Sequence, residues 1–275
     1  MTLKKNNPND ITHLRLSIQV SLSGLSFCIL NQDSNTIELL RNFEYNKKLN
    51  PVDVVDKLQH HFNTLSDLNQ PFQEVLVIHE NELATIVPKA LFNEDNSADY
   101  LKFNNKILST DFIAHDAIDS HDSVNVYVPY VNINNFLYDK FGAFTYKHSA
   151  SILIDKILNI EKHTETPKMY VNVALNHFEV VVVNGGQLLL YNSFEYQTKE
   201  DFIYYILFVV EQMNLNPEAL ELILLGAISL EDSLYNIAYK YIRYVSFGKR
   251  MDNFKFAEAE QSVSNHDNFV ILNSF

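Results

Sequence analysis

Leu14, Leu16, Ile18 and Val20 alternate with Arg15, Ser17 and Gln19, the period of a strand with one buried face. A polar turn at 21–24 separates this strand from a second at 25–30. A further turn at 31–35 leads to a third at 36–45. Asn50 and Pro51 then suit the N-cap and first position of a helix running to about residue 67. A fourth strand follows at 74–78. The order is βββαβ.

That order returns further along the chain. Strands are predicted at 169–174, 178–183 and 187–196, with Asn184-Gly185-Gly186 as the turn before the third. Thr198, supported by Asp201, caps a helix from 199 to about 214, and a strand follows at 221–225. The third strands even end alike, in Asn42-Phe43-Glu44-Tyr45 and Ser193-Phe194-Glu195-Tyr196. Element order and this short match together predict an internal duplication.

The segment between the copies predicts strands at 84–87, 111–118, 124–130 and 144–147. It also predicts helices at 98–104, 132–141 and 149–160, the second ended by Gly142. The polar break at 162–167 is the expected domain boundary. It gives an N-terminal half, 1–166, carrying an inserted subdomain, and a C-terminal half, 167–275. A helix at 230–241 and a strand at 244–247 follow, and the apolar run 269–272 reads as a closing strand or a docking strand for a partner. Residues 1–10 are polar and expected to fray.

Composition narrows the function. The chain carries 21 Lys+Arg against 34 Asp+Glu, a formal charge of -13. Such a surface repels polyphosphate and argues against direct nucleic-acid binding. No apolar stretch is long enough to span a bilayer, and the N-terminus lacks the apolar core of a secretory signal. Cys28 is the one cysteine, expected as a packed thiol in a reducing compartment. These features predict a soluble cytoplasmic protein without membrane contact. The 275 residues include 6 glycines, about 2% against about 7% in average proteins. Phosphate-gripping loops need glycine for close backbone approach, so this chain is poorly supplied for them.

Paired βββαβ units with insertions resemble the actin, Hsp70 and sugar-kinase superfamily. The implied fold class is α/β, with duplicated ribonuclease H-like halves in an actin-like ATPase fold. Within it the chain is similar to the DUF3822 family of Bacteroidetes. The segments carrying that likeness are Thr85-Ile86-Val87-Pro88-Lys89-Ala90-Leu91-Phe92, Val124-Asn125-Val126-Tyr127-Val128-Pro129-Tyr130 and Asn132-Ile133-Asn134-Asn135-Phe136. Beyond that family, the pilus-assembly actin-like proteins are the nearest shape. The family brings no activity with it.

The superfamily resemblance implies a nucleotide cleft at defined positions. The first hairpin should carry an Asp for the Mg²⁺ shell and a Gly beside the phosphates. Gln19 and Ser21 stand there, followed by Ser23. The second copy has Asn172 and Ala174 in those places, followed by Asn176. The adenosine turn after the fourth strand keeps Gly226 and has Ala227 next to it. Neutral amides organise Mg²⁺ poorly, and phosphoryl transfer rests on positioning and metal electrostatics. The expectation is therefore a vestigial cleft with no catalytic residue, no bound metal, and ATP and Mg²⁺ not favoured as cofactors. The function expected is a non-catalytic scaffold or pseudo-ATPase with an unidentified protein partner. The alternatives are a nucleotide-binding ATPase or kinase-like enzyme, and an accessory partner of the translation or rRNA-modification machinery.

Other constellations weigh less. His115, Asp116, Asp119, His121 and Asp122 carry metal-ligand chemistry but match no zinc spacing, and ordinary turn residues explain them. His60 and His61 point about 100° apart on a helix, so one is expected to pack and the other to be solvated. His79-Glu80 ends the fourth strand, where α/β sheets often face a ligand, and acid–base work there competes with a plain polar strand end. No G-x-S-x-G elbow is present. Tyr235, Tyr239, Tyr241 and Tyr244 read as core and rim packing in preference to an interface.

Overall fold

The computed structural model describes residues 13–45, 47–258 and 264–275; the expectation for residues 1–10 lies outside them. The first copy comprises β1 (Leu14–Val20), β2 (Gly24–Asn31), β3 (Thr36–Glu44), α1 (Pro51–Thr64) and β4 (Glu74–His79). The second comprises β9 (Lys168–Val173), β10 (His177–Asn184), β11 (Gln187–Glu195), α5 (Lys199–Gln212) and β12 (Glu221–Gly226). Between them lie β5 (Ala84–Pro88), α2 (Ser97–Lys102), β6 (Ala114–Ile118), β7 (Ser123–Tyr127), α3 (Val131–Phe141), β8 (Thr145–His148) and α4 (Ser149–Ile160). The chain closes with α6 (Ser233–Tyr241), β13 (Tyr244–Phe247), β14 (Lys255–Phe256) and α7 (Phe269–Leu272).

Capping chemistry sets the helix starts. The Asn50 side chain accepts from the amides of Val52 and Asp53, both at 2.9 Å. Thr198 and Asp201 form a reciprocal capping box. α6 starts at Ser233, later than the 230 expected, because Asp232 is its cap and accepts from the Leu234 amide at 3.0 Å.

The duplication is visible in the ladders. One sheet has the order β14-β3-β2-β1-β4-β8 and the other β11-β10-β9-β12-β13. Apart from β14, the two orders match strand for strand. A register shift falls at the same place in each copy, between Ile29 and Leu30 against β3 and between Val182 and Val183 against β11. The insertion forms its own three-stranded sheet, β5-β7-β6.

Each half has a private core. One gathers Leu16, Ile18, Phe27, Leu58 and Phe62; the other gathers Val171, Phe178, Val180, Phe202 and Leu224. A third cluster joins the halves: Cys28, Ile37 and Ile78 meet Tyr170, Val181 and Leu225 around α4 and α7. The run 269–272 is thus a buried helical turn and not a strand. Phe269, Val270, Ile271 and Leu272 are all buried, and such a run has no period by which strand and helix differ. Ser274 fastens it, its hydroxyl 2.7 Å from that of Ser17 on β1. Cys28 is buried, as expected. Among the described residues no helix is long and apolar enough to cross a membrane.

Candidate functional site

The C-terminal ends of β1, β4, β9 and β12 meet between the halves. Gln19, Ser21, Ser23, Asn172, Ala174, Gly226 and Ala227 line one cavity there of about 130 Å³. Asn176 lies beside it, in a recess shared with Ser21 and Ser23. Pockets for small molecules usually measure about 300–1,000 Å³, so this space is small. Its lining includes Glu80, His177 and Asp267, and no lysine or arginine among the described residues.

A buried polar network runs across the middle. The Gln19 amide donates to Glu80 Oε2 at 2.8 Å, and Glu80 Oε1 meets His177 Nε2 at 3.0 Å. Glu80 belongs to the first half and His177 to the second, so this ion pair spans the cleft. In the second copy the Asn172 amide donates to Glu179 Oε2 at 2.9 Å, while Tyr191 donates to Glu179 Oε1 at 2.8 Å. The amides at the expected Asp positions therefore each hand their N–H to a buried glutamate. An aspartate at either position would put like charges side by side in a low-dielectric site.

Electrostatics reinforce the bridge. Burial works against the Glu80 charge, but the hydrogen bond and positive charge of His177, helped by Gln19, outweigh it and hold the carboxyl below the usual glutamate range. Burial likewise works against the His177 charge, and the bond and charge of Glu80 outweigh it, lifting the imidazole above its ordinary value. Burial and the neighbouring Glu80 charge raise the Glu179 carboxyl. At the rim, Lys48 joins the halves again, 3.0 Å from Glu82 and 3.1 Å from Glu195.

Gly226 has a structural reason to be glycine. Its φ is +80°, and a Cβ there would lie 2.2 Å from the Val173 carbonyl oxygen and 2.9 Å from Asn172 Oδ1. The close approach it permits is between β12 and β9. The turn it opens is covered by the chain's last segment: the Gly226 amide donates to the His266 carbonyl at 2.8 Å, and His266 Nε2 lies 2.7 Å from the Ile228 carbonyl. His266 also stacks on Phe247, with ring centroids 4.3 Å apart.

The other candidates resolve into packing. His79 does not work with Glu80. It accepts from the Tyr130 amide through Nδ1 and reaches Asn134 through Nε2, and burial depresses its pKa to about 3. His148 caps α4 by accepting from the Ala150 amide, and burial lowers it to about 4. Asp116 is held by Ser151, Tyr127 and the His148 amide, whereas His115 packs on Phe92. Among the described residues no group of three His, Cys, Asp or Glu could hold a metal ion. His61 stacks on Phe43 with centroids 3.8 Å apart while His60 stays exposed, as the helix geometry requires.

His177 and Glu179, which carry the network together with Glu80, lie outside the cleft residues expected from the sequence. The available signal was Glu179 itself, a lone carboxylate inside the apolar run Phe178 to Val183, since such a charge is kept only with partners.

Comparison with known proteins agrees with this architecture. A solved Bacteroides thetaiotaomicron VPI-5482 protein, described as having an actin-like ATPase fold and unknown function, shares 24% identity. It covers 95% of each chain with a TM-score of 0.79. The PilM-PilN type IV pilus biogenesis complex contains a chain matching at 10% identity over 94% of this chain and 96% of its own, with a TM-score of 0.62. No curated protein matches in sequence. The family model described as "Protein of unknown function (DUF3822)" matches residues 3–245. The chain is an actin-like ATPase fold, and it belongs to the DUF3822 family.

Proposed function

We propose that this chain is a cytoplasmic, non-catalytic scaffold, a pseudo-ATPase in which the vestigial nucleotide cleft has become a fixed joint between the halves. The observation that carries this reading is the Glu80–His177 bridge through the centre of the cleft, 3.0 Å long, with Glu80 buried and His177 partly so. A polyphosphate entering there would meet Glu80 and Asp267 with no lysine or arginine to receive it among the described lining residues. Gln19 and Asn172 turn their amide N–H groups to glutamates, and the neutral amide oxygen each has left organises a hydrated Mg²⁺ poorly beside a carboxylate. Residues 264–268 cover the turn that would face the adenosine. The same fold occurs in the PilM-PilN type IV pilus biogenesis complex, and the fold by itself brings no activity with it.

Thermal unfolding with and without millimolar Mg·ATP tests the reading. A ligand at 100 times its Kd adds about 2.7 kcal/mol. For 275 residues at about 2.1 cal/mol/K each, that is a rise of about 5 °C. The scaffold reading expects no Mg²⁺-dependent rise, and a rise of that size would refute it.

A further inference from the structure

A second feature joins the halves away from the cleft. β5 is an edge of the inserted sheet and β11 is an edge of the C-terminal sheet. Both strands line one groove of about 740 Å³, with Ala84 and Ile86 on one wall and Leu189, Tyr191 and Ser193 on the other.

Register fixes which backbone groups face it. The Tyr196 amide donates to the Asn176 carbonyl, and Phe194 and Asn192 stand opposite Phe178 and Val180. In an antiparallel ladder, bonded and unbonded positions alternate, so Tyr191 and Ser193 turn their N–H and C=O groups away from β10. The Ser193 amide bears this out: its partner is the neighbouring Asn192 side chain at 2.9 Å. On β5 the Val128 amide donates to the Leu83 carbonyl, which leaves Ala84 and Ile86 facing outward by the same alternation. An open strand edge is a template for another strand.

The chemistry of the walls selects the strand. Ile86, Leu188 and Tyr191 pack on the core that joins the halves, while Leu189 remains 44% exposed as an apolar contact. The lining includes Glu82 and no lysine or arginine among the described residues. Glu195 continues the same edge, and Lys48 is a single cation set between these two carboxylates. One negative charge is left over at this end, on a chain of net charge -13.

We infer that this groove binds an extended basic peptide segment of a partner protein, added as a strand to the β11 edge. From Leu189 to Ser193 the edge offers roughly 13 Å at about 3.3 Å per residue, enough for about five residues of the guest. Main-chain hydrogen bonds supply affinity, and alternate side chains read the apolar wall and the acidic end. The inference deepens the scaffold reading, and the two fail separately: the nucleotide titration leaves the groove untouched, and the test below runs without nucleotide.

The test is selection of short peptides from a displayed random library on the full chain, with affinities then measured by fluorescence anisotropy on synthetic copies. Enriched sequences should alternate apolar and polar residues and carry Lys or Arg. Ser193→Pro removes an edge amide that β10 does not use, a place where a strand tolerates proline, and should weaken binding about tenfold or more. Ser193→Ala keeps the amide and should bind like the parent. N-methylating alternate residues of the peptide should abolish binding, an arm that does not depend on how Ser193→Pro folds. The inference is overturned if no peptide is enriched, if the enriched ones lack basic residues, or if N-methylated peptides bind equally. It is also overturned if sedimentation of the chain alone shows a dimer that Ser193→Pro dissolves, which would make a second copy the occupant.

Discussion

Changing His177 to alanine isolates the bridge that closes the cleft. Glu80 would keep the Gln19 amide at 2.8 Å and lose the imidazole at 3.0 Å, leaving a carboxylate that is 9% exposed without its countercharge. Breaking one partner of a buried pair costs about 3–5 kcal/mol. Taking about 3 kcal/mol, since the His177 side chain is 16% exposed and the low end is appropriate there, the thermal midpoint should fall by about 5 °C. The pH dependence sharpens the test. His177 is raised in the fold, so its contribution is full below the unfolded value of about 6.5 and is lost as pH rises through the folded value. Glu80 is lowered, so its contribution is present above the unfolded value and is lost as pH falls through the folded one. The difference between parent and His177→Ala, followed by urea unfolding, should therefore be largest near pH 5–6 and shrink on both sides. Adding Glu80→Gln to His177→Ala should recover part of the loss, because no unpaired charge then remains. A His177→Ala protein as stable as the parent across this range would refute the reasoning.

Two further substitutions probe the same joint. Gly226→Ala, forced against the Val173 carbonyl at 2.2 Å with φ +80°, should cost more than about 2 kcal/mol by urea unfolding, and a stable Gly226→Ala protein would remove the strand-packing account of this glycine. Gln19→Asp, which places a second carboxylate against Glu80, should lose about 2 kcal/mol at pH 7. That loss should ease below about pH 5 as one carboxyl takes a proton, and a variant that is equally stable at both values would contradict the paired-amide account.

Much of the fold was legible because polar turns and caps bound its elements, and because β1 alternates polar with apolar residues even though Ser17 on its polar face is buried against Ser274. Alternation at Leu14 to Val20, the Asn50-Pro51 and Thr198 caps and the repeated βββαβ order all survive in the structure. Two features were not legible. β14 is two residues long, too short for any period, and pairs with β3 only because the chain crosses back to the first sheet. α7 is buried on all sides, so its apolar run lacks the polar positions that would give a helical period. At the cleft, the replacements at 19 and 172 could be read one residue at a time. The Glu80–His177 contact could not, because it forms only once the halves close, and no local pattern encodes a pairing across two sheets. The retained Gly226 looked like a remnant of ligand binding, but the contact that requires glycine there is with β9.

An NMR titration of the His177 imidazole, with and without Mg·ATP, tests the closed cleft most directly. The account predicts an apparent pKa above about 6.5 that Mg·ATP leaves unchanged, because the ring is held by Glu80 and no phosphate reaches it. A value at or below the ordinary one, or a shift on adding Mg·ATP, would contradict it.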